Sequence, residues 1–203
     1  MKTALISTMA ALLCFGSVQA NADYSVDRGA IQMDSPQDIV ITFSQDLGEL
    51  RGKGKVRHLD TASVEQACLA LTLAQMLRNP AMNGDNDEVN VTLFLRNDGV
   101  KLADTELVDA ISRLQERGKA PGCIAPWYPY PITLEQHLTD FLSGPLGDTN
   151  DLVNCPICWC AYKGFTDPNE CRTDYYADPP YPGVLDPTAV PPLFLGADKV
   201  VDF

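Results

Sequence analysis

The stretch VNCPICWCAYKG, residues 153–164, places Cys155, Cys158 and Cys160 within six positions. Thiols so close together support three kinds of chemistry. A thiolate attacks a disulfide or a sulfane sulfur, and a second thiol three residues on resolves the product, which is the pattern of Cys155 and Cys158. Four thiolates hold zinc, and Cys155, Cys158, Cys160 and Cys171 supply four, although the second CxxC that would make the spacing strong is absent. In an oxidising compartment the same residues close disulfides, with Cys123 and Cys171 as further partners. A bridge from Cys160 to Cys171 would leave the CxxC pair free.

The compartment follows from the first 20 residues, MKTALISTMAALLCFGSVQA. Lys2 precedes an apolar run from Ala4 to Val18, and Val18-Gln19-Ala20 has the small-residue pattern of a secretory cleavage site. The run is shorter than the roughly 20 residues a membrane span needs. Leu13 stands before Cys14, where lipidation would require a small residue. Residues 1–20 are therefore expected to be a signal peptide, residues 21–36 a flexible leader, and the mature chain periplasmic or secreted. Six mature cysteines allow 15 disulfide connectivities.

Losing Lys2 takes the net charge from −12 to −13. Nucleic acid and anionic membrane surfaces draw their affinity from Lys and Arg, so neither is expected as a partner. Arg51, Lys53, Lys55, Arg57 and His58 form the one basic patch, expected as a solvated loop or an anion-attracting rim.

Stepping out from the thiols, strand and helix signals alternate. DIVITFS (38–44) is a β-branched run suited to a strand buried on both faces. SVEQACLALTLAQMLR (63–78) reads as a helix opened by a Ser63/Gln66 capping box, with Val64, Ala67, Leu71 and Ala74 on its buried stripe and Cys68 beside them as a small core residue. EVNVTLFL (88–95) is a second strand and RNDGV turns out of it, with Asp98 either forming the turn or accepting a hydrogen bond near the thiol. DTELVDAISRLQERG places Leu107, Val108, Ile111 and Leu114 on one helix face and Gly118 at its end. A Pro-rich loop with Trp127, Tyr128 and Tyr130 is either packed surface or a lid. TLEQHLTDFLSG is a helix carrying His137 at its surface or half-buried. DLVN is a short strand leading into the cysteines, and LFLGADKVVDF is a last strand. Strands alternating with helices imply an α/β fold with a mostly parallel sheet.

The order of VNVTLFLRNDGVKLAD, TLEQHLTDFL, LVNCPICWCAYKG and GADKVVDF resembles the DsrE/DsrF-like family of sulfur-relay proteins, over residues 37–203. The resemblance implies a flavodoxin-like three-layer sandwich with a mostly parallel five-stranded sheet, and the chain departs from the family pattern in insertions at about 104–131 and 167–192. It implies a persulfide-carrying cysteine at a strand's carboxyl end, matched by Cys155, and a second cysteine matched by Cys158. The expected function is that of an exported sulfurtransferase or sulfur carrier needing no cofactor. Its partners would be a sulfur donor or acceptor protein or a small thiol, with a homo-oligomer as a further candidate. The alternative is a non-catalytic binding protein of the same fold with structural disulfides or a thiolate metal site. Independently of the resemblance, a strand end feeding a helix N-terminus is expected to lower the Cys155 pKa.

Overall fold

A hydrophobic run with no polar face must be covered on both sides, and β1 (Gln37–Phe43) has that character: Ile39 to Phe43 are all buried. The computed structural model describes residues 37–52, 54–83, 89–144, 151–167 and 190–203. The signal peptide, the leader, Lys53, Cys171 and most of the expansion at 167–192 lie outside the described residues. Among those described, β1 is an inner strand of a four-stranded sheet in the order β5 (Leu152–Asn154), β4 (Val89–Leu95), β1, β6 (Lys199–Asp202), and every pairing is parallel. A mixed α/β fold with a parallel sheet is what the alternating pattern implied. Four strands occupy this sheet; a separate antiparallel hairpin holds two more.

The ladder between β1 and β4 (Val89–Leu95) runs unbroken from Gln37↔Val89 to Phe43↔Leu95. β5 (Leu152–Asn154) pairs with β4 up to Leu95↔Asn154, and β6 (Lys199–Asp202) pairs with β1 up to Thr42↔Asp202. The four strands therefore end together, with Phe43, Leu95, Asn154 and Asp202 along one edge.

Alternation along the strands assigns the two faces. Ile39, Ile41, Phe43, Val91, Leu93, Leu95 and Leu152 join the larger core with residues of α1 (Thr61–Arg78), α3 (Thr105–Glu116) and α4 (Leu134–Ser143). Val40, Phe94 and Val153 face the other way, against Val190, Leu193 and Phe194 of α6 (Val190–Gly196). Phe94 and Phe194 meet edge-to-face at 5.1 Å. A short α2 (Pro80–Asn83) follows α1, and α5 (Pro156–Tyr162) follows β5.

Several local expectations are corrected. The segment 193–203 is not one strand: Leu193 and Phe194 are helical, and pairing starts only at Lys199. The preceding Pro191 and Pro192 suit a first helical turn, where a missing N–H costs little. α1 is capped by Asp60, whose carboxylate accepts from the Ala62 amide and the Ser63 hydroxyl, each at 3.0 Å. Ser63 thus serves the cap instead of being it. The basic loop forms β2 (Glu49–Arg51) and β3 (Lys55–Arg57), because Leu50 and Val56 face each other and turn towards the core while the charges point outwards. The segment 104–131 contributes α3, with Leu107, Val108 and Ile111 buried and Gly118 at φ +66° just past its end.

Cys68 is buried, as its place on the α1 stripe implied, but it is not a plain core hydrophobe. It is disulfide-bonded to Cys123, 55 positions away, which ties α1 to the Pro-rich loop. His137 is also corrected: it is fully buried. Its Nε2 lies 2.9 Å from Thr72 Oγ1 and 3.2 Å from the Cys68 carbonyl, and Nδ1 has no partner. The carbonyl requires the proton on Nε2, so charging the ring would put a second proton on Nδ1 with nothing to accept it. Burial outweighs the Cys68 carbonyl and the Asp140 carboxylate and depresses the pKa from 6.5 to about 4.

Replacing Cys68 and Cys123 together by serine, which frees a loop of 55 residues, should lower the unfolding free energy by about 4 kcal/mol in denaturant titration. Above pH 6.5, His137 is neutral in both folded and unfolded chains and contributes no pH dependence. As the pH falls from 6.5 to about 4 the unfolded chain takes up the proton first, so stability should drop by on the order of 3 kcal/mol. His137→Gln should flatten the profile over that window.

Candidate functional site

The carboxyl edge of the sheet carries the thiols. Asn154 ends β5, and the Cys155 amide continues the ladder by donating to the Leu95 carbonyl at 2.8 Å. Cys155 is the N-cap of α5 and its carbonyl accepts from Trp159 at 3.0 Å, while Pro156 occupies the first turn. Trp159 is buried and pins the helix; Ile157 beside it is exposed. Cys155 packs against the Val40, Phe94 and Val153 cluster below α6, whereas Cys158 and Tyr162 pack against the larger core. The pair thus straddles the edge of the sheet.

Cys155 and Cys158 are free, half-buried thiols with their Sγ atoms 2.9 Å apart. Cys160, two positions on, is disulfide-bonded. The candidate redox pair is therefore brought together and the third cluster cysteine is set apart from it. Cys160 is unavailable as a thiolate, so the Cys155, Cys158, Cys160 and Cys171 zinc set loses a ligand. Among the described residues no group of three or more His, Cys, Asp or Glu side chains is arranged to hold a metal.

The electrostatics of Cys155 run against the sequence-based expectation. Burial, reinforced by the neighbouring Cys158 thiol, pushes its pKa up to about 11, while the Ile157 and Cys158 amides pull the other way. A helix of 7 residues provides a weak terminal field, and desolvation overrides it. In this arrangement Cys155 rests as a thiol.

The turn after β4 builds the neighbouring wall. Arg96 donates its amide to the Phe43 carbonyl at 3.0 Å, Asn97 is held at φ +49°, and a Cβ at Gly99 would collide with the Phe43 carbonyl. A 3-10 helix, Asn97–Ala103, then packs beside α5. Asp98 lies on this turn but pairs with Lys101 at 3.2 Å, so its carboxylate is engaged by its own turn and not by the thiol. Lys101 is buried and also pairs with Asp46 at 2.6 Å. Burial would lower the Lys101 pKa, but the two carboxylates outweigh it and raise it. Lys163 and Tyr162 both donate to Asp104, at 2.7 and 2.8 Å. These bonds overcome the burial of Asp104 and keep its carboxyl below the ordinary range.

The sequence singled out neither Arg96 nor Asp202. Arg96 Nη2 lies 2.8 and 2.7 Å from the two Asp202 oxygens, and Thr42 Oγ1 donates to the same carboxylate. Arg96 is the first charged residue after an apolar strand, a signal that marks a carboxyl edge; the contact with residue 202 has no local signal. The aromatic loop is not at the thiols. Trp127 and Tyr128 line a cleft of about 330 Å³ with Gln75, Arg78, Asp140 and Phe141, beside the last turns of α1 and α4. The basic hairpin, meanwhile, packs against α3.

Comparison of the chain with protein-family models, curated proteins and solved structures returns no match.

Cys158 contributes to the elevated Cys155 pKa by proximity, so its removal should be visible. In Cys158→Ser the pH at which Cys155 becomes alkylated by iodoacetamide should fall below about 11, and its alkylation at neutral pH should accelerate. An unchanged profile would assign the shift to burial alone.

Proposed function

We propose that the chain is an exported, DsrE-like protein of flavodoxin-like, three-layer, five-stranded form that handles sulfane sulfur or disulfides through Cys155, with Cys158 as the resolving thiol. One observation carries this reading: two free thiols with Sγ atoms 2.9 Å apart at the carboxyl edge of a parallel sheet. Ligands of open α/β sheets bind outside that edge. The order of the sequence segments supports the family, and the N-terminal 20 residues support export to a periplasmic or extracellular space.

The chemistry closes with the two thiols. Cys155 loses its proton to solvent, and its sulfur attacks the terminal sulfur of a persulfide donor. The donor's S–S bond breaks, its electron pair leaves with the carrier thiolate, and Cys155 holds the persulfide. An acceptor thiolate then takes the outer sulfur. Alternatively, the Cys158 thiol attacks the inner sulfur, forming the Cys155–Cys158 disulfide and expelling hydrosulfide. A dithiol reductant, giving two electrons and two protons, returns the pair to thiols.

A binding protein braced by disulfides is the second reading. The bonded Cys68, Cys123 and Cys160 favour it for those three residues. It leaves the closeness of the free pair without a purpose.

Incubating the reduced protein with a sulfane-sulfur donor should add one sulfur atom at Cys155, detected by peptide mass. Cys155→Ser should abolish the adduct and change the unfolding free energy by less than about 1 kcal/mol, because the swap leaves no large cavity. A parent protein that takes up no sulfur, together with a Cys155→Ser variant that unfolds, would favour the brace.

A further inference from the structure

Arg96 is a charged residue of the thiol edge that the sulfur chemistry leaves unassigned. Register places it beside Cys155: Leu95 pairs with Asn154, and the next positions on β4 and β5 are Arg96 and Cys155. The Cys155 amide bond to Leu95 and the extended backbone of Arg96 carry the ladder that far. Both lie on the α6 face, since Cys155 packs with Phe94 and Val153, and Arg96 lies two positions beyond Phe94.

The guanidinium is held loosely. It leans across the end of β1 to Asp202, and the two side chains are 40% and 61% exposed, an arrangement in which ion pairs are weak and exchange readily. One nitrogen, Nη2, meets both Asp202 oxygens, while Nε is buried without an acceptor. An unmatched charged donor is costly, and a side-on carboxylate would satisfy Nε and an Nη together. Among the described residues the other cations flanking α5 are committed: Lys101 is buried between Asp46 and Asp98, and Lys163 binds Asp104. With a net charge of −12 the chain as a whole repels anions, so an anionic substrate needs a local cation at the thiol.

We propose that Arg96 is the carboxylate receptor of the Cys155 site, and that Cys155 attacks the disulfide or persulfide of a carboxylate-bearing small thiol, which takes the guanidinium over from Asp202. This rests on Cys155 being the attacking thiol. The Asp202 carboxylate holds the place of the substrate's own. In the step itself the Cys155 proton goes to solvent and a bond forms from Sγ to the nearer substrate sulfur. The substrate S–S bond breaks, and the electron pair leaves on the departing thiolate.

Two disulfide probes test this on the full-length protein carrying Cys158→Ser, with adducts assigned to Cys155 by peptide mass: dithionitrobenzoate, a dianionic carboxylate, and neutral dithiodipyridine. Arg96→Gln should slow the anionic probe by about tenfold or more and the neutral probe by less than about twofold. Arg96→Lys should retain part of the anionic preference, and Asp202→Asn should accelerate the anionic probe alone. Added salt should erode the preference. Equal slowing of both probes, or of neither, overturns the role of Arg96 and leaves Cys155 chemistry standing. If Arg96→Gln does not fold, an Asp202→Asn variant that fails to accelerate the anionic probe overturns it instead. No reaction of Cys155 with either probe sinks the thiol reading and the proposal with it.

Discussion

The parallel ladder between β1 and β4 is the constraint on which the rest depends. Its seven paired positions fix the register of both inner strands, and through them the ends of β5 and β6. A shift of one residue would send Ile39, Ile41 and Phe43 to the opposite face and, because β6 pairs with β1, carry Asp202 off the line of Arg96. Burial enforces the register: Ile41, Phe43, Leu93 and Leu95 have no measurable exposure. The free thiol pair sits on the edge so defined, where side chains at strand ends reach solvent while their backbones stay rigid.

The thiol pair balances opposed effects. Packing Cys155 against Val40, Phe94 and Val153 fixes its position and desolvates it, and the desolvation suppresses the thiolate. Two short turns of helix do not compensate. With its pKa raised, Cys155 rests as a thiol. The bonded Cys68, Cys123 and Cys160 divide the labour differently, since they restrain chain segments and are withheld from exchange.

Much of this was legible in the sequence where the signal is local. DIVITF and VNVTLFL read as strands, the α1 stripe follows 3.6-residue spacing, and the CxxC after DLVN marked the thiol pair. What escaped depended on distant partners. Cys68 gave no sign of bonding a residue 55 positions on, and a lone His137 on an amphipathic helix looked half-exposed until Thr72 and Cys68 enclosed it. The cap at Asp60 was missed because Asp60 and Ser63 are both good caps and three residues separate them. The depressed pKa expected for Cys155 failed because position alone does not report how far the site is desolvated.

Differential alkylation of the protein taken from its native compartment tests the central claim most directly. Mild reduction, followed by one label and then by full reduction and a second label, separates accessible thiols from structural bridges by peptide mass. The first label should fall on Cys155 and Cys158 and leave Cys68, Cys123 and Cys160 for the second. First-label incorporation at none of these positions, with Cys155 released only on denaturation, would contradict a thiol-handling role.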